Sequence, residues 1–98
     1  MNISVIEVEI PSAISVEVTE KELKVDLSDG RTISVPLGWY PRLENADPEE
    51  LRNWRLIGSG EGIHWEDIDE DISVKALLHG KPSGESQKSL NKWLKNRK

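Results

Sequence analysis

The sequence predicts an α+β domain: a small antiparallel sheet of N-terminal hairpins and a later strand pair, with short helices and a C-terminal amphipathic helix. Three observations carry that expectation. Apolar and polar residues alternate from Ile14 to Val35, the period of half-buried antiparallel strands. The spacing turns helical after Pro36. The last segment, projected as a helix, sets Leu90, Trp93 and Leu94 on one side and Lys88, Lys92 and Lys95 almost opposite. A chain of 98 residues builds one modest core.

In order along the chain, Ile6, Val8 and Ile10 alternate with Glu7 and Glu9 until Pro11. The stretch Ile3 to Ile10 therefore reads as an edge strand or as a strand for a partner. Ile14, Val16 and Val18 then alternate with Ser15, Glu17 and Thr19, and Leu23, Val25 and Leu27 with Lys24, Asp26 and Ser28. A turn at Glu20 and Lys21 sets Val18 opposite Leu23, Val16 opposite Val25 and Ile14 opposite Leu27. For the next strand, a tight turn at Asp29-Gly30 would oppose Ile33 to Asp26 and put the apolar faces in conflict. A longer loop, Ser28-Asp29-Gly30 with Gly30 left-handed in a bulge, pairs Val25 with Ile33 and Leu23 with Val35 instead.

Leu37, Tyr40 and Leu43 follow at helical spacing, with Pro41 making that helix late or irregular. Asp47, Pro48 and Glu50 form a helix start with a capping box. Trp54 to Ile57 and Ile63 to Trp65 read as strands joined by Gly58-Ser59-Gly60-Glu61-Gly62. Ser73 to Leu78 reads as a short helix stopped at Gly80 and Pro82. The expected division is a core over residues 1–80 and a basic helix over 81–98 docked on it.

No constellation of catalytic residues, metal ligands or cofactor-binding motifs emerges. Asp67, Asp69 and Asp71 start like a calcium loop, but Ile72 stands where glycine is needed and Leu78 where glutamate is needed. The acidic run Glu66 to Asp71 reads as a solvated loop with Ile68 and Ile72 turned inward. The glycine-rich stretch lacks both the P-loop ending and the dinucleotide spacing, and Glu61 would repel phosphate. His64 most simply alternates out of a strand face, and neither it nor His79 has metal-ligand spacing. The four tryptophans, in a chain without phenylalanine, read as core residues; Trp93, beside the lysines, is the best candidate for an interface anchor.

The formal charge of -5 hides a split. Residues 81–98 carry six basic side chains and one acid, +5, which leaves residues 1–80 with seven bases and seventeen acids, -10. No run reaches the roughly 18 apolar residues of a membrane span, the first residues lack the features of a secretion signal, and there is no cysteine. A cytoplasmic protein with no membrane contact is expected.

Several segments together resemble one bacterial family. They are the hairpin turn Ser28-Asp29-Gly30-Arg31, the stretch Val35 to Leu43, Asn53-Trp54-Arg55-Leu56-Ile57, Gly62-Ile63-His64-Trp65 with its acidic continuation to Ser73, and Leu77-Leu78-His79-Gly80. The family is domain of unknown function 2442. The resemblance implies a small α+β fold and, because many members sit beside another small uncharacterised family, a toxin-antitoxin-like gene pair. It implies no catalytic residues.

The leading expectation is thus a non-enzymatic, antitoxin-like protein whose acidic surface of Glu61, Glu66, Asp67, Asp69, Glu70 and Asp71 binds a basic protein partner such as a cognate toxin. The alternative is a DNA-binding autoregulator using Lys88, Lys92, Trp93, Lys95, Arg97 and Lys98, with weak, salt-sensitive affinity for nucleic acid. In a third arrangement the tail helix packs on the body of its own chain or, in a homodimer, of a second copy, its lysines meeting Asp67, Asp69 and Asp71.

Overall fold

A computed structural model describes residues 10–97. The strand expected over Ile3 to Ile10 lies outside the described residues except for Ile10, and so does Lys98. The chain folds as two antiparallel sheets. The first has strands β1 (Ala13–Val18), β2 (Glu22–Leu27) and β3 (Thr32–Pro36) in that order. A 3-10 turn over Leu37–Trp39 leads to helices α1 (Pro41–Glu44) and α2 (Pro48–Arg52). The second sheet follows, with β4 (Trp54–Ile57), β5 (Gly62–Trp65) and β6 (Glu70–Ser73), then helices α3 (Val74–Leu78) and α4 (Gln87–Asn96). None of the described helices is long and apolar enough to cross a membrane.

Both hairpin registers follow the apolar alternation. Val18 faces Leu23 and Val16 faces Val25, while Val25 faces Ile33 and Leu23 faces Val35. Gly30 has a φ of 93°, and Leu27 N–H donates to the Arg31 carbonyl across the bulged loop at 2.8 Å. Only glycine takes such a φ without strain.

One register expectation is corrected at the start of β1. A bulge between Ala13 and Ser15 sets Ala13, not Ile14, opposite Leu27. Ala13 is buried and Ile14 is 57% exposed. The junction between the sheets meets the chain here, where Ala13 N–H donates to the Gly60 carbonyl at 2.7 Å, while within the first sheet Ser28 N–H donates to the Ser12 carbonyl at 2.8 Å. That close approach leaves room for a methyl group and none for an isoleucine side chain. Ile14→Ser is accordingly expected to change stability by less than about 0.5 kcal/mol in urea unfolding, the range of an exposed position.

The second correction is β6. The run Glu66 to Asp71, read as a solvated loop, passes at Glu70 into a strand, Glu70–Ser73, paired with β5 so that Ile63 faces Ile72 and Trp65 faces Glu70. β5 is therefore the central strand of its sheet, and all four of its residues are buried. Ile68 and Ile72 do point inward. Ser73 closes the strand and caps α3, its hydroxyl accepting from Ala76 N–H at 3.0 Å.

The core draws on both sheets and the helices between them: Leu23, Val25 and Leu27 from the first sheet, Leu37, Tyr40 and Leu43, then Ile63, Trp65, Ile68, Ile72, Val74 and Leu77. Trp65 is fully buried, and its indole N–H donates to the Leu51 carbonyl at 3.1 Å. Trp39, Trp54 and Trp93 pack against the core half-buried.

Candidate partner-binding surfaces

Three regions bear on partner binding, two of them singled out by the sequence and one formed only in the fold. The first is a groove of about 770 Å³ between β1 and the helical segment. Val16 and Val18 form one wall; Leu43, Ala46, Pro48, Leu51 and Trp54 form the other. It exists because α1 and α2 are short. Leu43, in α1, is fully buried, whereas α2 buries no residue completely, so the inner face of β1 stays half-covered. Glu17, Glu20 and Glu44 also line the groove, with Arg52 the one cation among its described lining residues.

The second region is the acidic run. The structure does not hold it as one free surface. Asp67 accepts from the Asn53 side-chain amide at 3.0 Å. Glu61 accepts from the Ser59 hydroxyl at 3.1 Å. Asp69 has a positive φ of 51°, and its carbonyl, like that of Ile68, accepts from Arg42.

Glu66 and Asp71 clamp His64 from its two ring nitrogens: Nε2 lies 2.8 Å from Glu66 Oε2, and Nδ1 meets Asp71 Oδ1. Asp71 is the cross-strand neighbour of His64 on β6, and Arg55 is its neighbour on β4. His64 is thus 9% exposed rather than projecting freely from the strand. The hydrogen bonds to Glu66 and Asp71 push its pKa above the ordinary 6.5. When protonated, the ring donates from both nitrogens, one to each carboxylate. An NMR titration is expected to give His64 a midpoint above 6.5, and Asp71→Asn to lower it. Because the folded pKa is the higher one, the stability this contact contributes is complete below about pH 6.5 and lost as pH rises through the folded value.

Glu70 faces the other way. Strand alternation puts it on the inner side of β6 with Ile72, opposite Trp65. Burial, only partly offset by Arg42 and aggravated by Glu85, Asp71 and Asp69, raises its pKa to about 7. It lines a polar hollow of about 260 Å³ with Arg42, Asp69, Ser83, Glu85 and Ser89.

The third region is the tail. α4 docks on the body of its own chain, and the contacts differ from those expected. Its arginine does the holding: Arg97 donates to both Glu50 oxygens at 3.1 and 2.6 Å. Glu50 simultaneously accepts from Asp47 N–H at 2.8 Å, so one carboxylate caps α2 and anchors the tail. Just ahead of α4, Glu85 accepts from Arg42 Nε and Nη2. Two guanidinium groups lie over the Trp93 ring, that of Arg42 5.1 Å and that of Arg97 4.5 Å from its centroid. Trp93 and Arg97 therefore spend their contacts internally.

The lysines do not meet Asp67, Asp69 or Asp71. Among the described residues no lysine forms an ion pair, and Lys88, Lys92 and Lys95 are exposed. Of the helix side expected to dock, Trp93 packs against the core. Sequence spacing shows the lysine stripe. It could not find Arg42, Glu50 and Glu85, which become partners only in the fold. Nor do three His, Asp or Glu side chains gather among the described residues in a way that could hold a metal ion.

These features define a small two-sheet α+β domain with a partly filled groove and a strapped C-terminal helix. The chain belongs to the family described as protein of unknown function (DUF2442), which it matches over residues 13–83. It is similar to a crystal structure of a protein of unknown function from Rhodospirillum rubrum ATCC 11170, at 29% identity and a TM-score of 0.65, over 79% of this chain and 95% of that one. It is also similar to the solution NMR structure of an uncharacterised protein from Chromobacterium violaceum, at 26% identity and a TM-score of 0.63, over 83% and 74% of the two chains. No curated protein matches it. The match to the family ends before α4.

Proposed function

We propose that the protein is a non-enzymatic, antitoxin-like binding module of the cytoplasm whose acidic body takes a basic protein partner. The observation that carries this reading is the groove between β1 and α2, apolar within and lined by Glu17, Glu20 and Glu44 on a body of net charge -10. An apolar groove with an acidic rim fits a segment that presents both apolar and basic side chains, and the field of the body speeds and orients its approach. The acidic run contributes to that field, while the carboxylates of Glu66 and Asp71 are committed to His64 and that of Asp67 to Asn53.

The natural first partner is the product of the neighbouring gene. Co-expression followed by titration calorimetry is expected to show a complex that tightens at low salt. Changing Glu17, Glu20 and Glu44 together to lysine should weaken it by about tenfold or more. A complex indifferent to both salt and these changes, or no complex at all, contradicts the reading.

A second reading has one observation in its favour, the exposed stripe of Lys88, Lys92 and Lys95, which forms no ion pair among the described residues. Such a stripe suits phosphate contacts. Gel-shift titration of the full chain against K88Q/K92Q/K95Q tests it: equal, negligible binding by both removes the nucleic-acid role.

A further inference from the structure

One wall of the groove offers backbone hydrogen bonds as well as apolar contact. Thr19 N–H donates to the Glu22 carbonyl at 2.9 Å, closing the first hairpin. The next pairs along it are Val18 with Leu23 and, two residues further, Val16 with Val25. Hydrogen-bonded and non-hydrogen-bonded pairs alternate in an antiparallel ladder. Since Thr19 and Glu22 form a bonded pair, Val18 and Val16 fall in non-bonded ones, and their N–H and C=O groups point away from β2. β1 is the outermost strand of its sheet. Among the described residues no backbone hydrogen bond from another element reaches Val16 or Val18. The bulge at Ile14 ends this edge on one side, and the turn at Glu20 ends it on the other.

We propose that an extended segment of a basic partner completes this edge, adding a fourth strand to the first sheet. The inference rests on the partner-binding reading above and specifies how that site is filled. An added strand alternates its side chains between two faces. On one face apolar residues enter the groove against Val16, Val18, Leu51 and Trp54. On the other, basic residues pass Glu17, with Glu20 and Glu44 at the rim. Charge selects this occupant over two others. A second copy pairing β1 to β1 with Val16 bonded to Val18 in each direction would set Glu17 directly opposite its own twin, a like-charge juxtaposition that sheets avoid. The chain's own residues 3–10 carry Glu7 and Glu9, the wrong sign for this rim.

The test uses the full, isotope-labelled chain and synthetic peptides of alternating lysine and valine. In the free protein the Val16 and Val18 amides should exchange rapidly with solvent, and the peptide should slow them by about tenfold or more. A version methylated on the alternate amides that would face β1 should bind about tenfold more weakly, or worse. It cannot escape by shifting one residue, because the shift turns lysines into the groove. An alternating glutamate-valine peptide should not bind.

Equal binding of the methylated peptide overturns the strand addition while leaving an acidic groove that binds basic segments. Failure of every lysine-valine peptide to bind removes both. Slow exchange of Val16 and Val18 already in the free protein also overturns the inference: concentration-dependent protection means a second copy covers the edge, and concentration-independent protection means the chain's own residues do.

Discussion

Gly60→Ala is expected to cost about 3 kcal/mol or more of folding stability, a large share of what a domain of this size has. Gly60 has a φ of 100°, where an L side chain is strained, and a Cβ built there would lie 2.7 Å from the Ala13 carbonyl oxygen and 2.8 Å from the Ser12 Cβ. Neither contact can be relieved by swinging a flexible side chain, because both belong to the strand start. Moving apart would break the bond from Ala13 N–H to the Gly60 carbonyl, one of the direct ties between the two sheets. Gly30→Ala supplies the control. Gly30 has a similar φ of 93° but nothing within 4 Å of the added methyl, so it should lose only the conformational part, about 1 kcal/mol. Urea unfolding of the two variants separates strain from collision; equal losses would mean that the junction yields.

Glu70→Gln is expected to act in the opposite direction, stabilising the protein by about 1 to 2 kcal/mol at pH 8 and hardly at all near pH 4.5. Its carboxyl is raised from 4.5 to about 7 by burial, so between those values the folded chain holds the proton more tightly than the unfolded one. The stability that the protonated form contributes is complete below pH 4.5 and lost as pH rises to about 7. The gain from glutamine is smaller than full linkage allows, since Glu70 stays partly exposed.

The carboxylates of Glu50, Glu66 and Glu85 behave conversely. Hydrogen bonds from Arg97, His64 and Arg42 hold their pKa values down, and what they contribute is lost in acid. Stability should therefore peak at mildly acidic pH and fall toward neutrality. Thermal unfolding from pH 4 to 8, with and without Glu70→Gln, checks the sign: the variant should flatten the fall on the neutral side. A wild-type profile that rises steadily to pH 8 would contradict it.

Much of the fold is legible in the residues, for an identifiable reason. In the first sheet the alternation is strict and each apolar residue has an apolar partner, so only one register satisfies both hairpins, and even the bulged turn at Gly30 follows. The segments that mislead are those where a long-range contact overrides the local pattern. Ile14 fits the alternation, yet the approach of Gly60 to Ala13 pushes it out. Glu70 and Asp71 read as the end of a solvated loop, and Ser73 as a helix start, because all three are polar; the strand they form with Ile72 is set by the pairing of Ile72 with Ile63 and by the burial of Ile63 and Trp65 on β5. Missing that strand also hides the site of His64, whose partner Asp71 is seven residues away in sequence and directly opposite in the sheet.

The charge division between body and tail is plain from composition alone. How the tail is held is not. Arg42, Glu50, Glu85 and Arg97 are ordinary charges until the fold pairs them, and the pairing separates inward arginines from outward lysines. The groove has no signal in the sequence, since Val16 and Val18 look like any core-facing pair.

We propose that the acidic groove, and not the basic helix, receives the partner. One comparison addresses it: the affinity of the neighbouring gene product for the full chain, for E17K/E20K/E44K and for K88Q/K92Q/K95Q, all at low salt. The groove variant is expected to lose about tenfold or more in affinity while the helix variant binds as the parent does. Loss of binding in the lysine variant with none in the groove variant would contradict it.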